Sequence, residues 1–172
     1  MKLLIVDDHS VVRQGVRLML SSNPDVAIYE ACSGNEALTL FREQRPNLLL
    51  LDLNLSSSSG LELLGRLLKE DKAARILIFS MHSEPFYVVR ALKAGASGYI
   101  SKGVDPSELL TAIDHVAKGG QYVEREIAGR LLPPSAPPFN TGRMVRENSL
   151  ISDKTPFSDI QDSRGIVSRN LT

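Results

Sequence analysis

The chain has 172 residues, 20 basic against 20 acidic side chains, and a hydrophobic content of 42%. This length supports one domain of about 100–150 residues with chain left over, and the zero net charge gives no reason to expect bulk affinity for nucleic acid or membranes. The single cysteine, Cys32, excludes an intramolecular disulfide and a cysteine-based zinc cage, and no apolar run approaches the roughly 20 residues of a membrane span.

Residues 2–6 read as a buried strand, followed by a helix over 10–21 with Val11, Val12, Val16, Leu18, Met19 and Leu20 as its apolar positions. Lys2 precedes only four apolar residues before Asp7, so no secretory leader is expected. The expected location is the cytoplasm, and the expected Cys32 is a small, buried, inert side chain. Asn23-Pro24-Asp25 breaks the helix, and 26–30 forms a second strand. Ser33 with Glu36 makes a capping box for a helix that ends before Pro46. Residues 48–51 are a third strand, and the leucines from 61 to 68 mark a helix after Gly60. A fourth strand spans 75–79, and a helix carrying Phe86, Val89, Ala91 and Leu92 stops at Gly95. A fifth strand spans 98–100, and Asp105 or Ser107 caps a fifth helix that ends at Gly119-Gly120. One more short helix fits 123–132.

Strands alternating with helices, and apolar strands without period-2 alternation, predict an α/β fold: a doubly wound, five-stranded parallel sheet with helices on both faces. The domain is expected over 1–120. Pro133-Pro134-Ser135-Ala136-Pro137-Pro138 reads as an extended linker, and 139–172, without sustained periodicity, as an irregular tail.

Polar residues stand at four strand exits: Asp7 and Asp8, Asp52, Ser80 and Lys102. In an open parallel sheet the ligand crevice lies at the carboxyl ends of the strands. Three clustered carboxylates repel one another and resist full ionisation unless a cation intervenes. Mg²⁺ suits them, since it takes one or two carboxylates together with waters and phosphate oxygens. A carboxylate there can attack a phosphoryl group, with Lys102 as counter-charge and Ser80 as hydroxyl donor.

These residues, with Gly60 eight positions after Asp52 and Tyr99 in the fifth strand, closely resemble the receiver domain of bacterial response regulators. Asp7-Asp8-His9, Ala94-Gly95-Ala96-Ser97-Gly98-Tyr99, Lys102-Gly103 and Gly119-Gly120-Gln121-Tyr122 resemble the NarL/FixJ subfamily, whose output is a LuxR-type helix-turn-helix. The resemblance implies a flavodoxin-like sheet in the order 2-1-3-4-5. It implies Asp52 as phosphoacceptor and Mg²⁺ held by Asp7, Asp8, Asp52 and the backbone carbonyl of Asn54. Ser80 and Lys102 would bind the phosphoryl group, and Tyr99 would switch. His82 would be placed to tune hydrolysis of the acyl phosphate. The implied partners are a sensor histidine kinase and a second receiver in a homodimer, within a phosphorelay that controls transcription. The molecule would assist its own phosphorylation and dephosphorylation without being a conventional enzyme.

Two positions depart from the family pattern. Ser56 opens a run of four serines where a proline is common, which is expected to loosen the loop. The tail lacks the amphipathic helices and the Leu-Thr-x-Arg-Glu-type start of a LuxR-type output, so direct DNA binding is doubtful and a truncation or reading-frame change is expected. A receiver without output would act as an interaction module, phosphate sink or kinase competitor. A dehalogenase-type hydrolase would need a second acid where Asn54 stands. A flavin carrier would need a first loop that cradles phosphate rather than Asp7-Asp8.

Overall fold

The computed structural model describes residues 1–131 apart from Ser22, Ser57 and the side chain of Ser58. The expected linker at 133–138 and tail at 139–172 lie outside the described residues. Strands β1 (Lys2–Val6), β2 (Ala27–Ala31), β3 (Leu48–Leu51), β4 (Ile76–Ser80), β5 (Gly98–Ser101) and β6 (Tyr122–Val123) form one parallel sheet in the order β2-β1-β3-β4-β5-β6. The sheet therefore has six strands where five were expected. Two residues at Tyr122–Val123 are too few to show a pattern, and their pairing depends on β5 being beside them.

Side chains of successive strand residues point to opposite faces, and this sorts the core into two layers. Leu4, Val6, Leu49, Leu51, Ile76 and Ile78 pack under helices α2 (Gly34–Gln44), α3 (Gly60–Glu70), α4 (Pro85–Lys93) and α6 (Arg125–Leu131). Leu3, Ile5, Leu48, Leu50, Leu77 and Phe79 pack under α1 (Ser10–Leu20) and α5 (Pro106–Ala117). Each leucine of β3 is covered on its own side, so all four are buried. That explains an unbroken leucine run in place of alternation.

The helix ends follow local chemistry. Ser33 Oγ accepts a hydrogen bond from Glu36 N (3.3 Å), while the Glu36 carboxylate accepts from Cys32 N (2.7 Å) rather than from Ser33 N. Pro46 stops α2, and Arg45 takes the left-handed conformation (φ 47°). Gly95, at φ 106°, follows α4. Asp105 precedes α5 as its cap residue, with Pro106 as the first helical residue. Cys32 is exposed, contrary to the expected burial, because β2 ends at Ala31 and the chain turns outward there. The Glu36 carboxylate beside Cys32 holds its thiol above the ordinary range. No helix among the described residues is long and apolar enough to cross a membrane.

Candidate phosphoryl-transfer site

The parallel register brings the ends of β1, β3, β4 and β5 to one edge, and Asp7, Asp52 and Ser80 are all buried there. Lys102 follows β5, and its ammonium lies 2.6 Å from both Asp7 Oδ2 and Asp52 Oδ2. Only 7% of its side chain is exposed. Burial works against this charge, but the hydrogen bond to Asp52 and the charges of Asp52 and Asp7 outweigh it and hold the amine above its ordinary range. The other Asp52 oxygen, Oδ1, accepts from Asn54 N (3.2 Å). Gly60 is needed beside it: a Cβ at that position would overlap the carbonyl oxygen of Asp52 and the backbone of Leu53.

Asp8 is held differently. Its Oδ2 accepts from Ser56 N (3.0 Å) and from the Ser56 hydroxyl. The hydroxyl bond is the largest influence on this carboxyl and draws it below its ordinary value against the opposing effect of burial. The expected resistance to ionisation is thus reversed at Asp8 by hydrogen bonding. His9 Nδ1 sits 3.1 Å from Asp7 Oδ1 and 2.9 Å from Asp8 Oδ1.

Asp7, Asp8, His9 and Asp52 each present one ligand atom, all within 4.8 Å of one another. Asp7 Oδ2 and Asp8 Oδ1 are buried and accept no hydrogen bond. Lys102 and His9 approach them closely, but off the hydrogen-bond direction, so these contacts are electrostatic only. Buried carboxylate oxygens that accept no hydrogen bond, in a set of three acids and one histidine, fit a hard divalent cation. An adjoining cavity of about 480 Å³ is lined by Asp8, His9, Asn54, Ser56, Leu61 and Tyr87, so the cluster is reached from solvent on its Asp8 side.

The β4–α4 side is built from hydroxyl, backbone and aromatic-ring contacts. Ser80 Oγ accepts from His82 N (3.3 Å), and Ser80 O accepts from Lys102 N (2.9 Å). Tyr99 is fully buried and its hydroxyl donates to His82 O (2.6 Å). Burial pushes this phenol up to about 12. The His82 ring stacks on Tyr87 with centroids 4.5 Å apart, and its Nε2 is 2.9 Å from Asn54 Nδ2. His82 therefore bridges the loop after β3 to helix α4.

Residues 3–114 match the response regulator receiver domain family. The chain belongs to that family. It is 36% identical over 155 residues to the nitrate/nitrite response regulator protein NarL of Escherichia coli (strain K12), covering 90% of this chain and 69% of that protein. It is 34% identical over 170 residues to the methanol utilization control regulatory protein MoxX of Paracoccus denitrificans, covering 94% of this chain and 76% of that one. A LuxR-family two-component response regulator from Aurantimonas sp. SI85-9A1 superimposes with a TM-score of 0.72 at 38% identity, covering 76% of this chain and 94% of the other. Its relatives are thus response regulators of the NarL/LuxR type. Receivers are signalling modules that bind Mg²⁺ in an acidic pocket, and the acid cluster of this receiver is of that kind.

Three features of this receiver have no signal in the sequence. Ser56 stands out there only as a departure from a common proline, and its two bonds to Asp8 need the folded loops. The Tyr87 partner of His82 carried no signal of its own. Glu124, buried at the end of β6, accepts from Ser101 N (2.7 Å), one residue before Lys102. Burial, with Glu108 and Glu126 adding to it and Arg130 opposing, holds its carboxyl above the ordinary range.

Proposed function

We propose that Asp52 is the phosphoacceptor of a phosphorelay that controls transcription, taking its phosphoryl group from a phosphohistidine of a sensor histidine kinase in the cytoplasm. The observation that carries this reading is the buried Lys102 ammonium, 2.6 Å from both Asp7 and Asp52. A fixed cation beside a strand-end carboxylate supplies the charge stabilisation that phosphoryl transfer requires.

An Asp52 oxygen attacks phosphorus, the P–N bond of the phosphohistidine breaks, and the imidazole leaves with the electron pair. Lys102 turns from Asp52 to the new phosphoryl oxygens. Asp7, Asp8, Asp52 and the Asn54 backbone carbonyl would hold Mg²⁺, which when bound offsets the charge of the acids and of the phosphoryl oxygens. The Ser80 hydroxyl turns to donate to a phosphoryl oxygen and leaves His82 N. Tyr99 then repacks, because its hydroxyl is tied to the same loop through His82 O. One added dianion thereby biases a two-state element. The receiver assists this chemistry and the later hydrolysis of the acyl phosphate, in which water takes the phosphoryl group as inorganic phosphate and Asp52 leaves as the free carboxylate, but it turns over no metabolite. Val11 and Leu18, exposed on α1, offer apolar contacts for the kinase or for a second receiver.

The test is incubation of the chain with Mg²⁺ and acetyl phosphate, followed by mass spectrometry of its peptides. A phosphoryl label on Asp52, absent in EDTA, supports the reading. No label, or a label elsewhere that survives Asp52→Asn, refutes it.

A further inference from the structure

We propose that Ser56 is a positioning residue for the divalent cation: it turns the Asp8 carboxylate so that Oδ1 faces the acid cluster, and raises the affinity of the site for Mg²⁺. This rests on the reading above that the cluster takes such a cation. Ser56 N (3.0 Å) and the Ser56 hydroxyl both donate to Asp8 Oδ2. Both donors fall on one oxygen of the carboxylate. The other, Oδ1, is buried and without a hydrogen bond, and Asp8 belongs to the set whose ligand atoms lie within 4.8 Å of one another. A cation can therefore take Oδ1 without breaking either bond to Ser56.

A proline at this position has neither a hydroxyl nor an N–H. It would leave Asp8 free to rotate, and each rotation away from the cluster would have to be reversed on binding. Carboxylates that ligate metals depend on such outer hydrogen bonds, and losing them typically weakens metal binding by about 10- to 100-fold. The bonds also join the loop after β1 to the loop after β3 across 48 positions of sequence. The serine thus ties the loop at the point where a missing proline was expected to loosen it.

The experiment is calorimetric titration of MgCl₂ into the full chain and three variants. Ser56→Thr keeps both donors, Ser56→Ala keeps the N–H alone, and Ser56→Pro keeps neither. The expected order is a Kd for threonine close to that of the unchanged protein, alanine about 10-fold weaker, and proline weaker still. Thermal unfolding in EDTA separates positioning from folding: the alanine variant should unfold near the unchanged midpoint while its Kd has moved. Alanine and proline variants that bind Mg²⁺ as tightly as the unchanged chain, or a threonine variant as weak as alanine, overturn the role of Ser56 and leave the phosphoacceptor reading standing. An unchanged chain that takes no Mg²⁺ while Asp52 is labelled in EDTA overturns the role of Ser56 together with the cation site, and leaves Asp52 as the phosphoacceptor.

Discussion

The two halves of the site are built on different physics. On the β1–β3 side, Asp7, Asp8 and Asp52 are held by charged or charge-assisted contacts to Lys102, His9 and Ser56. On the β4–β5 side, Ser80, His82, Tyr99 and Tyr87 meet through neutral hydrogen bonds and a ring stack. Charged contacts respond directly when charge is added or removed. Neutral ones, each worth about 1 kcal/mol net, can exchange partners at little cost. The acid half is thus suited to receive a dianion and the neutral half to rearrange around it, with Lys102 touching both through its side chain and its backbone N–H.

Three substitutions sharpen this contrast. Asp52→Asn should lose all phosphoryl label from acetyl phosphate by mass spectrometry, since Asp52 is the cluster acid whose carboxylate accepts a hydrogen bond from Lys102 Nζ (2.6 Å). Lys102→Ala leaves two buried carboxylates without their counter-charge. In EDTA it should cost about 3–5 kcal/mol by urea unfolding, and added Mg²⁺ should recover much of that loss. A loss unchanged by Mg²⁺ would show that Lys102 matters for packing rather than charge. On the neutral side, Tyr99→Phe removes one hydrogen bond to His82 O and should cost about 1 kcal/mol, with little change in Mg²⁺ affinity. A large change in that affinity would erase the distinction between the halves.

The smallest effect concerns Glu124, which belongs to neither half but holds Ser101 beside Lys102. Its folded carboxyl is raised above the ordinary 4.5 by burial first, so ionising it costs more in the folded chain than in the unfolded one. The stability it gives is full below about pH 4.5 and is lost as pH rises through its folded value. Glu124→Gln keeps an acceptor for Ser101 N and removes the charge. It should raise stability at pH 7, and the gain should vanish as pH falls below 4.5. A gain of equal size at both pH values would contradict this linkage.

The fold was largely legible because burial on both faces leaves strands such as Leu48–Leu51 wholly apolar, and because Ser33, Pro46 and Gly95 mark helix ends by local chemistry. Boundaries moved by a residue where tertiary pairing decides them: β2 runs Ala27–Ala31 rather than 26–30, and β5 extends to Ser101. The two residues of β6 carried no local signal. The strand-exit residues Asp7, Asp8, Asp52, Ser80 and Lys102 were found by topology, because a parallel sheet brings its carboxyl ends together whatever the loops contain. The roles of Ser56 and Glu124 depend on contacts 48 and 23 positions away in sequence, and that of Tyr87 on the loop after β4 bringing the His82 ring onto α4; no spacing rule encodes these. Cys32 was misplaced because composition gives a tendency for burial, whereas the turn after β2 decides where that side chain points.

Amide and ring NMR spectra, recorded as Mg²⁺ and beryllofluoride are added in place of the phosphoryl group, compare the two halves most directly. The account predicts that shifts at Asp7, Asp8 and Asp52 are accompanied by shifts at Ser80, His82 and the Tyr99 ring, and that Asp52→Asn abolishes both sets. Shifts confined to the acid half, with His82 and Tyr99 unmoved, would contradict it.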